Sequence, residues 1–274
     1  MEDRISISVD AGVAHVRLVR SDKMNALDSK MFDAIVAAGE QLRSDPSVRV
    51  VVLSGEGKAF CAGLDMSNFA GMADSGGGNA SDSGEKKERR GLAPRSHGIA
   101  NLPQHAGWMW RELPMPVIAA VHGVALGGGF QVCLGADMRY AAPGTRFSVM
   151  EIKWGLVPDM AGTQLMRDLV RDDVVRELSY TGRIFSAEEA AEYGLVTAVV
   201  EDPLQHALSL AREIAGKNPD AIRANKRLFN AANYVNAAEG LLMESEEQDK
   251  LIGSANQIEA VMAEFEKRAA NFSD

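Results

Sequence analysis

Residues 5–20 alternate apolar and polar: Ile5, Ile7 and Val9, then Val13, Val16 and Leu18. Asp10-Ala11-Gly12 interrupts the alternation, and the pattern predicts a β-hairpin. Asp28 then stands where an N-cap belongs, and Met31, Ile35, Ala38 and Leu42 follow at helical spacing. Asp45-Pro46 ends that helix. The β-branched run Val48–Leu53 suits a strand buried on both faces. His105–Leu113 reads as a helix before Pro114, Pro116–Val121 as a second buried strand, Phe130–Gly135 as helical and Met138–Ala142 as a strand. From about residue 159 the spacing turns mostly helical, over Gly162–Leu169, Asp173–Thr181 and Ala187–Tyr193, with one strand at Val196–Val200. Residues 203–269 read as three helical segments, punctuated by Asn218-Pro219 and Gly253. The pattern predicts an α/β region over 1–200 and a helical region over 201–274.

One stretch breaks the periodicity. The run Ser75-Gly76-Gly77-Gly78-Asn79-Ala80-Ser81-Asp82-Ser83-Gly84 cannot bury apolar surface, so 73–96 is expected to be a mobile loop, with order resuming near His97. His97, His105 and Trp108–Trp110 follow it and fit either a cover over a ligand or ordinary helix packing.

Composition narrows the classes. The 274 residues are 46% hydrophobic and 24% charged, enough to build a sizeable core without staples. The net charge of −9 argues against nucleic acid, whose binders present positive surface. The basic run Lys86-Lys87-Glu88-Arg89-Arg90 is too short to change that. Cys61 and Cys133 lack metal-ligand spacing and read as reduced, buried thiols, in keeping with a reducing compartment. The N-terminus shows no apolar signal core and no segment is long enough to span a bilayer, so a cytoplasmic protein without a membrane partner is expected.

Three segments carry candidate chemistry. Gly57–Met66 follows a buried strand, and its small residues let a ligand approach the backbone. His122–Phe130 also follows a buried strand. Its Gly127-Gly128-Gly129 lacks the Lys of a P-loop and the spacing of a dinucleotide fingerprint. Bare N–H groups at such a helix start favour a developing oxyanion, with close helix–strand packing as the alternative explanation of the glycines. Phe147–Asp159 sets Glu151 and Asp159 eight residues apart around an apolar stretch. A carboxylate in apolar surroundings has a raised pKa and can shuttle protons, whereas one beside a Lys or Arg would only form an ion pair.

Together these segments resemble the enoyl-CoA hydratase/isomerase (crotonase) family. The resemblance covers most of the chain, taking in Asn25-Ala26-Leu27, Ala59–Met66, His122–Gly129, Asp137, Phe147–Gly155, Thr181-Gly182-Arg183 and Ala190–Val196. It implies a crotonase-like α/β spiral of ββα units with a helical C-terminal trimerisation region, and a homotrimer or a hexamer of two trimers. It implies that the backbone N–H groups of Leu64 and Gly128 form an oxyanion hole for an acyl-CoA thioester. Ala26, Ala62, Gly63, Asp65 and Met66 would line the CoA path, and Lys23 would sit near the CoA phosphates. No metal or separate cofactor is implied, since CoA arrives with the substrate.

The acid/base positions depart from the hydratase pattern. One of the two expected glutamates matches Glu151; the other position is Gln131, which can hold a water or substrate but cannot exchange a proton. Asp159 matches an aspartate of the dienoyl-CoA isomerase branch. The resemblance therefore implies Glu151, Asp159 and Gln131 as the catalytic set, and double-bond isomerisation over efficient hydration, in fatty-acid metabolism. A non-catalytic acyl-CoA-binding homologue is the alternative.

Overall fold

The computed structural model describes residues 3–65 and 91–274. Met66, the basic run at 86–90 and the part of the expected loop up to residue 90 lie outside the described residues. Residues 92–96 are tied down earlier than expected: Arg95 donates to the Leu92 and Ala93 carbonyls and to Gln104 Oε1.

The hairpin forms as the alternation predicts, from β1 (Ile5–Asp10) and β2 (Val13–Leu18). Asp28 caps α1 (Ser29–Arg43) by accepting from Met31 N at 2.8 Å, and the four apolar residues at helical spacing are all buried. The hairpin leads a six-stranded sheet in the order β1-β2-β3-β4-β6-β9, with β3 at Val50–Gly55, β4 at Val117–Val121, β6 at Met138–Ala141 and β9 at Ala198–Val199. All pairings after the hairpin are parallel.

β3 is buried on both faces, and alternation along the pleat explains how. Val51 and Leu53 face the main core with α1, α2 (Leu102–Glu112) and α3 (Gly128–Leu134). Val50 and Val52 face the other side, with Ile118 and Ala120, against Ala207, Ala211 and Ala215 of the helix Pro203–Ala215. Those alanines recur every four residues, so one small-residue stripe lets that helix lie close to the sheet. The first helix after residue 200 thus covers the second face of the α/β sheet.

Two features depart from the expected pattern. Residues 203–269 hold four helices rather than three: Pro203–Ala215, Pro219–Ala232, Ala237–Leu251 and Ala255–Glu266. The extra break falls at Asn236, whose side chain accepts from Glu239 N and caps a new helix. A second sheet is also present, β5-β7-β8, from Val124–Leu126, Arg146–Ser148 and Phe185–Ser186. β4 and β5, then β6 and β7, each send their first strand to the large sheet and their second to the small one, in keeping with the expected spiral of repeating units. No helix among the described residues is long and apolar enough to cross a membrane.

Candidate active site

The small sheet explains how segments far apart in sequence meet. Cys61 bridges Ala125 in parallel, with Cys61 N donating to the Val124 carbonyl and Leu126 N to the Cys61 carbonyl, each at 3.1 Å. Ala125 in turn pairs with Phe147. Just beyond the Cys61–Ala125 pair the Gly63 turn comes close to the start of α3, since a Cβ on Gly63 would lie 3.8 Å from Gly128 N. Four residues beyond Phe147, just past the end of β7, comes Glu151. Leu27 joins the same edge through a parallel bridge to Leu64. The three sequence segments with candidate chemistry are thus consecutive segments on one sheet edge.

Two glycines make that edge possible. Gly63 has φ +89°, and a Cβ there would lie 2.6 Å from the Leu126 carbonyl oxygen and 3.8 Å from Gly128 N. Gly127 has φ +50°, and a Cβ there would lie 3.4 Å from Glu151 Oε1. Both conformations favour glycine, and both bring backbone close to the site. Gly128 N starts α3 and has no acceptor within its helix. Leu64 N likewise has no backbone acceptor among the described residues. The packing explanation holds as well, since a Cβ on Gly129 would meet the Cys61 carbonyl at 2.5 Å.

Beside these donors lies a cavity of about 720 Å³. Glu151 and Asp159 both line it, and among the described residues no Lys or Arg acts on either carboxylate, so the ion-pair alternative does not apply there. Burial pushes the Glu151 carboxyl above its usual range, and the negative charge of Asp159 adds to this; hydrogen bonds from its own backbone and from Gln131 oppose it. Burial raises Asp159 too. Glu151 Oε2 is buried with no hydrogen-bond partner.

Gln131 is placed differently from the expectation that it would hold substrate or water. It is 1% exposed and stands outside the cavity lining, behind Glu151. Its Nε2 donates to Glu151 Oε1 at 2.6 Å, and its Oε1 accepts from Met160 N and Gly162 N, each at 2.9 Å. Its amide is committed to protein partners.

Lys23, Ala26, Ala62, Gly63 and Asp65 also line the cavity. Asp65 is engaged by Arg20 at 2.6 Å, and the same guanidinium donates to the Ala26 carbonyl. Arg20 thereby holds the Leu64 turn against the 23–27 segment, a role with no motif to announce it. Asn25, fully buried with φ +56°, donates to the Glu56 and Ala59 carbonyls and staples the same turn from the other side. The histidines and tryptophans after the loop take the packing alternative. His97 and His105 stack on each other at 4.8 Å, Trp110 is fully buried, and Leu92, Leu102 and Pro103 line the cavity instead. Cys61 and Cys133 are free, buried and each pushed up to about 12 by desolvation, which leaves them poor nucleophiles. Among the described residues no three His, Cys, Asp or Glu side chains gather as a metal-binding group.

Among the described residues, the arrangement sets two backbone N–H groups without a backbone acceptor next to two carboxyls that burial pushes toward their protonated form. Comparison with known proteins identifies the family. The sequence profile of the family described as Enoyl-CoA hydratase/isomerase matches residues 8–274. "Probable enoyl-CoA hydratase 2, mitochondrial" of Arabidopsis thaliana is 32% identical, over 94% of this chain and 81% of that protein. "Delta(3,5)-Delta(2,4)-dienoyl-CoA isomerase, peroxisomal" of the same plant is 30% identical, over 97% of this chain and 94% of that one. Among solved structures, an enoyl-CoA hydratase from Bacillus anthracis superposes with a TM-score of 0.85 at 31% identity, over 98% of each chain.

Proposed function

Because the chain belongs to the enoyl-CoA hydratase/isomerase family, we propose that it polarises an acyl-CoA thioester between Leu64 N–H and Gly128 N–H and moves the substrate's double bond with Glu151. The observation that carries this is the shared cavity wall: Leu64 and Gly128, whose N–H groups have no backbone acceptor among the described residues, line one cavity with the buried carboxylates of Glu151 and Asp159. The two donors stabilise the enolate formed when a proton leaves the α carbon, and one such donor is typically worth ~3–4 kcal/mol. Glu151 takes that proton and returns it at the γ carbon. Asp159, on the same cavity wall, acts as a second acid/base when the substrate is a 3,5-diene. Efficient hydration needs a second proton-exchanging group to activate water, and Gln131 cannot supply one. CoA enters as part of the substrate, with no other cofactor. Lys23 faces its phosphates, and Ala26, Ala62 and Gly63 line its path, with Asp65 acting through its pairing with Arg20.

The last two helices expose Leu241, Leu242, Ile258, Val261, Met262 and Phe265. They supply the surface for self-association as a trimer or a hexamer of two trimers.

Purified protein is assayed on crotonyl-CoA for hydration and on 3-enoyl-CoA and 3,5-dienoyl-CoA for isomerisation, with Glu151→Gln alongside. Isomerisation outpaces hydration, and Glu151→Gln abolishes it. Hydration as fast as isomerisation overturns the isomerase assignment. Thioester binding without turnover on any substrate points instead to an acyl-CoA-binding homologue.

A further inference from the structure

Gln131 occupies a position the proposed reaction does not use directly, yet both ends of its amide are held by protein partners. Two backbone N–H groups, of Met160 and Gly162, point at one end of its amide. A donor can face only an acceptor, so that end must be the oxygen, and the NH₂ end must face Glu151. Gly162 allows this approach: a Cβ there would lie 2.6 Å from Gln131 Oε1. Flipping the amide would set its NH₂ against two N–H groups and its oxygen against a carboxylate.

We propose that Gln131 is a positioning residue that fixes the orientation of the Glu151 carboxylate for proton transfer. Oε1 is held as an acceptor of the Gln131 N–H at 2.6 Å, which fixes how the whole carboxylate is turned toward the cavity. This rests on Glu151 being the proton-moving group. In the step itself, the Glu151 carboxylate forms an O–H bond as the α C–H bond breaks, and the electron pair passes into the thioester enolate. The O–H bond then breaks as the γ C–H bond forms and the double bond shifts, so the carboxylate is regenerated and no atom is gained or lost. The hydrogen bond at Oε1 also favours the ionised carboxylate, opposing the effect of burial. Asp159 is the charged group acting on Glu151; Asp22, Lys23, Asp33 and Asp65 are the other titratable groups along the cavity wall.

Two measurements test this. In wild-type protein carrying ¹⁵N-labelled glutamine, one Nε2 proton resonance should shift with pH at the midpoint of the Glu151 carboxyl, followed by ¹³C-labelled glutamate. That shift should vanish in Glu151→Gln. If no glutamine side chain reports that midpoint, the proposal fails, whatever reaction the protein catalyses. Gln131→Met keeps the length and removes the donor. It should raise the Glu151 midpoint, move the acid limb of the kcat profile to higher pH, and lower kcat about 10- to 100-fold with KM changed less than about twofold. A residue that only fills space would lower the folded fraction without moving either midpoint. An unmoved midpoint in folded Gln131→Met overturns the proposal. Failure of the functional reading is recognised separately, by Glu151→Gln retaining full rate.

Discussion

Buried charge occurs at two ends of this molecule and is treated in opposite ways. At the start of β4 and β6, Lys226 is 7% exposed, and its Nζ donates to the Trp110 carbonyl, the Met115 carbonyl and Asp137 Oδ2, all within 3.0 Å. Asp137 Oδ2 also accepts from Val117 N. Every donor of that ammonium is used. At the far end of the neighbouring small sheet, Glu151 is 8% exposed, yet one of its oxygens has no partner. The two groups are equally buried, so burial alone does not mark a chemical site. What sets Glu151 apart is a buried carboxylate that lines the cavity with no Lys or Arg among the described residues acting on it, whereas Lys226 is ion-paired.

The largest effect expected from this contrast is on rate. Glu151→Gln should lower kcat about 10³-fold, the usual order for losing a general acid/base, while raising the melting temperature near neutral pH. The sign follows from linkage. A carboxyl raised on folding binds its proton more tightly in the folded state, so its contribution is most favourable below the unfolded midpoint near 4.5 and is lost as pH rises through the folded midpoint. The variant's advantage should therefore be clear at pH 8 and shrink toward pH 4. Thermal melts across that range check it, and a melting temperature that falls at pH 8 would contradict it.

Lys226→Met tests the other end and should give the reverse pattern. It leaves two carbonyls and a carboxylate without their donor, and Asp137 is about a quarter exposed, so water offsets part of the loss. A destabilisation of ~2–3 kcal/mol by urea unfolding is expected, with kcat per folded molecule within about twofold of wild type. A large kcat loss in folded Lys226→Met would erase the distinction between the two ends.

The same distinction explains what could be read from the chain beforehand. Glu151, the glycine turns, the capped α1 and the two-sided burial of β3 all leave local signals: a carboxylate in an apolar run, φ-permissive residues, an Asp ahead of a periodic stretch, a β-branched run. The small sheet left almost none, because β5 and β7 are three residues each and too short to show alternation. Yet the Cys61–Ala125–Phe147 register in that sheet is what aligns the site. Gln131 was legible as a departure from a glutamate but not in its role. Its partners include backbone N–H groups 29 and 31 residues away, which no side-chain pattern encodes. The break at Asn236 was missed for the opposite reason: an Asn cap inside a long helical stretch is a weak signal beside Pro219 or Gly253.

The smallest expected effect separates the two carboxylates within the site. Asp159 adds negative charge next to Glu151 and helps hold its proton. Asp159→Asn removes that charge, so the Glu151 midpoint falls and the acid limb of the kcat profile moves to lower pH. Gln131→Met moves it to higher pH, because it removes a donor that favours the anion. The rate consequence depends on the substrate. With a 3-enoyl-CoA the proton travels only from the α to the γ carbon, Glu151 suffices, and kcat should stay within about threefold. With a 3,5-dienoyl-CoA the transfer extends further along the chain, a second acid/base is required, and kcat should fall about tenfold or more. Stopped-flow assays of both substrates across pH 5–9 measure both quantities. Equal losses on the two substrates would reduce Asp159 to an electrostatic neighbour of Glu151, and an unmoved acid limb would remove even that role.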